Sequence, residues 1–326
     1  MYNLCCMSIE LKKKNVNHRA FRFTQFEKHD RDAALAILGE RCLENVNTTL
    51  TSMRYAHANG WGYRISSTIF PLFNLAKAEV GLDDLPNAQD IRDSLEDIHT
   101  FTSTKDPRLF RLSFHPDHFN VLCSANDGVI ERSINELQHH GWMMDEMAGI
   151  NSRSYWYPLN IHMSRSSGDP KDIAKKFIKS YNRLNDSVKS RLVLENEDKG
   201  VWTPDMLIEL IHNETGIPVT FDNLHHRCNP GKWEAPEAFE NCIKTWRDES
   251  SESPVIPLFH YSEGGANNNP RAHVDFGEGT PKQWRDLNDT DYTKQLRVDW
   301  DIELKQKDYA IRYIQECEEK KTLTPA

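Results

Sequence analysis

At 326 residues the chain can bury enough core for one large α/β domain or two small ones, and its 49 acidic against 40 basic side chains, a formal charge of −9, lack the basic surplus that usually marks a nucleic-acid binder. A mean hydropathy of −0.69, with no apolar run near the ~20 residues of a bilayer span, excludes a helical membrane protein, and the opening MYNLCCMSIELKKK places its basic cluster after a short apolar part, the reverse of a secretory signal. Seven cysteines without a CxxC pair point to a reducing compartment, the cytoplasm, and away from a thiolate zinc site.

In chain order, Tyr2–Met7 reads as a strand and Lys28–Asn59, with apolar residues at three- and four-residue steps, as a helix closed by Gly60. Trp61–Ser66 and Leu109–Phe114 follow as strands. Asn126–His140 is expected as a helix with an Asn/Asp cap and a stop at Gly141. Tyr157–His162 is the next strand, and Asp169–Leu184 a helix with proline at its first position. Arg191–Glu195 precedes a helix over Thr203–Thr215, closed by Gly216, and Pro218–Asp222 precedes one over Glu234–Trp246. Val255–His260 and Val298–Glu303 are the last strands, with a final helix over Lys305–Glu319. Asp248–Ser253 and Glu263–Asn269 read as surface loops, and residues 320–326 as a frayed tail. Eight strands, each followed by a crossover, predict a (β/α)8 TIM barrel forming a single domain over residues 1–326, acting as a monomer. An open doubly wound sheet is the runner-up, but its ligands gather at one switch point rather than along many strand ends.

The chemistry sits at those ends. His115, His162, Glu195, Asp222 with His225, His260, His273 and Glu303 fall at or just beyond successive apolar runs. A single histidine at a strand end is more often a hydrogen-bonded structural residue than a ligand. Repetition over consecutive βα units is the telling feature, because a barrel brings its strand carboxyl ends to one rim. Imidazole and carboxylate donors without cysteine suit manganese, zinc, iron or magnesium-type hydrolytic centres. Glu195, in mid-rim, has lone pairs enough to bridge two ions, and eight donors suffice for two or three. His57, His99, His139, His140 and His212 lie in or beside helices and read as solvated. Sugar isomerisation or epimerisation is the competing metal chemistry on such a barrel.

At RLSFHP, NIHMSRSSGD, LVLENED, GIPVTFDNLHHRCNP and RAHVDF the chain resembles the UV damage endonuclease family, TIM-barrel DNA repair enzymes related to the endonuclease IV type of apurinic nuclease. The segment from Ile217 to Pro230 is the most specific, and GYRISSTIFPL and WDIELKQKD look like the family's second-strand and last-strand motifs. The resemblance implies two or three divalent ions, manganese first with zinc or magnesium as alternatives. It also implies hydrolysis of double-stranded damaged DNA on the 5′ side of the lesion. All eight donors match the family's metal positions, with Glu195 bridging and His115, His162, Asp222, His260 and Glu303 sharing the catalytic work. Leu258 stands where the family has a lysine expected to assist the metals, and His118 and Phe119 where it has a lesion-probing Gln-Tyr pair. Leu4, Ser8 and Leu75 occupy other altered positions. These departures suggest a divergent member, and a damage-binding relic with little turnover is a further alternative. Arg64, Arg227, Lys232 and Arg271 are the expected DNA contacts, joined by Arg165, with Trp202 and Trp233 as stacking candidates. Bound cations offset carboxylates locally, so the net charge is a weak objection to a DNA partner.

Overall fold

The computed structural model describes residues 1–117, 119–246, 255–286 and 297–323. Its strands are β1 (Tyr2–Cys5), β2 (Gly62–Ile65), β3 (Leu112–Phe114), β4 (Leu159–Ile161), β5 (Leu192–Glu195), β6 (Val219–Thr220), β7 (Leu258–Tyr261) and β8 (Asp299–Ile302). They form one parallel sheet in the order β6-β5-β4-β3-β2-β1-β8-β7. A parallel bridge between Asp222 and His260, with the His260 amide donating to the Phe221 carbonyl at 3.0 Å, joins the two edges and nearly closes the barrel. The TIM-barrel expectation holds.

Alternation along each short strand sorts the side chains. Leu112 and Phe114, Leu159 and Ile161, and Trp300 and Ile302 belong to the apolar core. The residues between them are polar. Asn3, Arg64, Ser113, Asn160, Asp299 and Asp301 are all buried, and they meet one another inside the cylinder, as in the Asn3–Asp301 and Ser113–Asp301 hydrogen bonds. The barrel is thus wrapped in hydrocarbon and filled largely with hydrogen-bonding groups, unlike the branched aliphatic filling usual for the fold.

Helices α1 (Arg31–Ala58), α2 (Ala88–Ser103), α3 (Asp127–Ala148) and α4 (Pro170–Tyr181) cover the first half. Asp30 caps α1 by accepting from the Ala33 amide, and Asp169 caps α4 by accepting from the amides of Lys171 and Asp172. The fifth crossover runs Pro204–Leu207 into a π-helical turn at Ile208–His212 and on to Asn213–Thr215. Then come α5 (Asn223–Cys228), α6 (Ala235–Thr245) and α7 (Lys307–Leu323). No described helix is long and apolar enough to cross a membrane.

Three expectations need correcting, and one helix was missed. Helix α2 was legible but unread: Ile91, Leu95, Ile98 and Thr102 make a buried stripe at helical spacing within a heavily charged segment. Helix α3 does not stop at Gly141 but continues to Ala148. That glycine is a contact point, since a Cβ there would lie 2.9 Å from both Ser187 and Val188 of the short helix Asp186–Lys189. His140 is buried, not solvated, with its ring 4.4 Å from that of Phe114, and burial holds it well below the usual imidazole range. Residues 320–323, expected to fray, continue α7, while 324–326 and Asp248–Ser253 lie outside the described residues.

Candidate metal centre

Because the strands run parallel, their carboxyl ends share one mouth, and six of the eight deliver a donor there. His115 follows β3, His162 follows β4, Glu195 ends β5, Asp222 follows β6, His260 lies in β7 and Glu303 follows β8. Asp222 also caps α5, accepting from the His225 amide at 2.7 Å, so the first turn of that helix brings His225 to the same mouth.

Glu195 is the hub. Its Oε2 lies 3.2 Å from His115 Nε2, 3.6 Å from His162 Nε2 and 3.0 Å from His260 Nδ1, while Oε1 lies 3.1 Å from His225 Nδ1. His260 Nδ1 is also 3.5 Å from Glu303 Oε1. Donor atoms within 4.8 Å of one another form three overlapping triads: His115–Glu195–His260, His162–Glu195–His225 and Asp222–His260–Glu303. Seven of the eight expected residues are therefore brought together. His273 stands apart from the triads, in the loop after β7. Its Nδ1 is 2.8 Å from the Glu303 carbonyl oxygen, which anchors the ring to the end of β8.

The floor of this cup is dry and its wall is open. Glu195, Asp222 and His260 are at most 1% exposed, whereas His115, His162 and His225 keep partial access to solvent. Burial alone would raise the Glu195 carboxyl. The His260 and His162 imidazoles, with hydrogen bonds from His115 and His225, outweigh it and hold the group well below the usual carboxylate range. Glu303 is likewise held low, its burial opposed by Arg64 and then His260. Burial drives His162 down to about 4, leaving a neutral ring with a free lone pair. It would also lower His260, but Glu195 and Glu303 lift that ring to about 9. A proton therefore sits on His260 against these carboxylates, and a divalent cation would displace it on entry.

The donor set fits such a cation. It offers imidazole nitrogen and carboxylate oxygen without sulfur, the chemistry of manganese, zinc or magnesium sites. The fully buried Asp222 Oδ2 takes no hydrogen bond, an expensive arrangement unless something positive meets it. Supporting polar groups are in place: Asn160 Nδ2 donates to Glu195 Oε2, and Asn196 accepts from the Asp222 amide while donating to its carbonyl.

The loop bearing His273 is tied to the barrel through an antiparallel bridge with Gly264. A Cβ at Gly264 would lie 1.8 Å from the Pro270 carbonyl oxygen, a backbone atom that can move only with the loop. Gly264→Ala should therefore cost about 1–3 kcal/mol in urea unfolding and displace His273. An unchanged midpoint would contradict this packing.

The expected DNA contacts divide. Arg64 is turned inward, its Nη1 against Glu303 and 3.6 Å from Asp301, so its charge is committed inside the cup rather than offered at the rim. Arg227, Lys232 and Arg271 are exposed; Lys232 is 3.8 Å from Glu209 and Arg271 3.4 Å from Asp198. Arg165 is held by the Cys123 carbonyl at 2.6 Å. Trp202 is core, its indole N–H donating to the Arg165 carbonyl, which removes it as a stacking platform. Trp233 is partly buried beneath Lys232. Phe119 is 74% exposed in the loop after β3, and His118 lies outside the described residues. Leu4 and Leu258 are core, and Ser8 caps the short helix Ile9–Lys13.

One buried group went unread in the sequence: Asp301, whose Oδ2 is 3.6 Å from His260 Nε2. The signal was present, since Asp299, Asp301 and Glu303 recur at two-residue steps in one strand and so share a face.

The family model described as UV-endonuclease UvdE matches residues 2–324. A UV DNA damage endonuclease from Clostridium perfringens is 30% identical over 202 residues, a match spanning 62% of this chain and 45% of that protein. One from Bacillus velezensis is 28% identical over 300 residues, covering 89% and 84% of the two chains. The crystal structure of SacUVDE superposes with a TM-score of 0.77 over 99% of both chains at 24% identity, a likeness of fold.

Proposed function

The chain belongs to the UV-endonuclease UvdE family, and from that membership we propose that it is a metal-dependent repair endonuclease that hydrolyses the phosphodiester backbone of double-stranded DNA on the 5′ side of ultraviolet-type or related lesions. The observation that carries the reading is the convergence of six further nitrogen and oxygen donors around the buried Glu195 at the strand carboxyl ends.

Two or three divalent ions, manganese first, would be held by His115, His162, Glu195, Asp222, His225, His260 and Glu303, with His273 added from its loop. When bound, such ions supply the Lewis acidity that activates water and neutralises charge on a departing oxygen. The chain's own part is to fix the donors. Glu195 reaches both sides of the cup through its two oxygens, Asn160 orients its carboxylate, Asn196 pins the Asp222 backbone, and the apolar wrapping of the barrel prevents the strand ends from shifting. The partly exposed faces of His115, His162 and His225 leave the opening through which a phosphate can approach.

At the rim, Arg227, Lys232 and Arg271 offer exposed cations for flanking phosphates, and Phe119 an exposed ring that can stack on or between bases. Arg227→Ala should weaken binding to damaged and undamaged duplex alike and lower the salt-dependence slope by about one. A loss confined to damaged duplex would assign it to lesion reading instead. Leu258 and the altered pair at 118 and 119 imply a lesion preference or rate that differs from the family's.

Purified protein with manganese should nick ultraviolet-irradiated plasmid, leave unirradiated plasmid largely intact, and lose the activity on chelation while remaining folded by circular dichroism. Equal treatment of both plasmids, or nicking that survives chelation, would refute the proposal. Damage-specific gel shifts without nicking would indicate a binding relic.

A further inference from the structure

Beneath the cup lies a carboxylate that the donor set does not use. Asp301 is 1% exposed, and four other strands or their flanks reach it from around the barrel. Asn3 Nδ2 donates to Oδ1 at 2.8 Å, and Ser113 Oγ lies 3.2 Å from Oδ2. Arg64 Nη1 and His260 Nε2 each lie 3.6 Å from Oδ2. A carboxylate so enclosed cannot swing away, because its position is fixed by hydrogen bonds from β1 and β3. Strand pairing fixes the height of the ring above it, since His260 is the register partner of Asp301.

The ring between these layers has two unlike nitrogens. Nδ1 faces upward, 3.0 Å from Glu195 and 3.5 Å from Glu303, and His260 forms a triad with Asp222 and Glu303. Nε2 faces downward to Asp301. Leu258, two residues earlier and so on the same face of β7, brings no polar atom to the underside of the ring. The ring is therefore steadied from the neighbouring strand.

We infer that Asp301 is the positioning residue for His260: it keeps the ring proton on Nε2, leaving Nδ1 bare toward the ion that Asp222 and Glu303 would share. The inference rests on the metal-dependent reading above and deepens it. A ligating imidazole is commonly oriented by a carboxylate on its other nitrogen, and loss of that partner typically costs 10–100-fold in metal affinity. The separation of 3.6 Å is an electrostatic contact rather than a formed hydrogen bond, so the carboxylate's charge should matter more than its shape.

Asp301→Asn preserves the shape and removes the charge. Manganese titration of the full chain by calorimetry should show a roughly 10–100-fold weaker ion in this variant, with unaltered circular dichroism in chelator. Nitrogen-15 spectra of the zinc-loaded wild type should place the His260 proton on Nε2, a readout that holds even if the variant fails to fold. Wild-type affinity in Asp301→Asn, or a proton on Nδ1 in the loaded wild type, would overturn the inference while leaving the endonuclease reading intact. A wild-type chain that takes up no manganese at all would remove both.

Discussion

Glu195→Gln is expected to reduce nicking of irradiated plasmid on the order of a thousandfold or more and to remove at least one ion from the loaded protein. The substitution keeps the side chain's length and one hydrogen-bond acceptor, so packing is little disturbed. It deletes the anion around which His115, His162, His225 and His260 are arranged. Ions in such a centre contribute several kcal/mol to the transition state, and each 1.36 kcal/mol is tenfold in rate. An amide cannot bridge two cations as a carboxylate does. Elemental analysis beside the plasmid assay checks both halves of the expectation. Activity within tenfold of wild type would mean that Glu195 is only a structural partner of the histidines. The variant should remain folded, because its surroundings are held by strand pairing rather than by this one charge.

The largest effect on stability is expected at the opposite end of the barrel. Arg111 is fully buried just before β3. Its guanidinium donates to the carbonyls of Trp156 and Tyr155 at 2.9 Å and of Ile256 at 2.7 Å, and Nη1 lies 3.4 Å from the buried Asp299 carboxylate. It thus ties the approaches to β4 and β7 to β8. Arg111→Ala leaves three half-buried carbonyls without their donor and weakens the compensation of the buried Asp299. Breaking a buried pair in this way costs about 3–5 kcal/mol. Arg297, 3.0 Å from the other Asp299 oxygen, is partly exposed and replaces only the ionic contact. Urea unfolding followed by tryptophan fluorescence provides the test, and a loss below about 1 kcal/mol would show that water fills the space at little cost. Lysine at this position should recover part of the loss, since it supplies the charge but not the planar fork.

These two sites explain how one strand architecture can serve both ends. At the amino end the inward polar residues are paired with one another, Arg111 with Asp299, and stabilise closure. At the carboxyl end they are left in excess of negative charge. Among the described residues, Arg64 is the one arginine or lysine in ion pairs with this group, meeting Asp301 and Glu303, while Glu195 and Asp222 meet only histidines. Under the proposed function, a cluster of cations would correct that imbalance and let an acidic chain take a polyanionic substrate.

The eight strand positions, and the imidazoles and carboxylates at six of their ends, were legible from residue order alone, because both are local. A β-run marks its own extent, alternation dictates which neighbours share a face, and parallel strands in a barrel must end at one rim. Family membership was also written in short segments such as the one from Ile217 to Pro230. What closure alone decided were the partners. Ser113 and Asp301 are 188 positions apart and meet inside the barrel; Arg64 turns in to Glu303 instead of out to a phosphate; His140 packs under Phe114; Gly141 lets a second helix approach instead of ending the first. Each outcome depends on which side chain arrives from a different strand or helix at a given height. That information resides in the register of the closed sheet, not in the neighbourhood of any one residue.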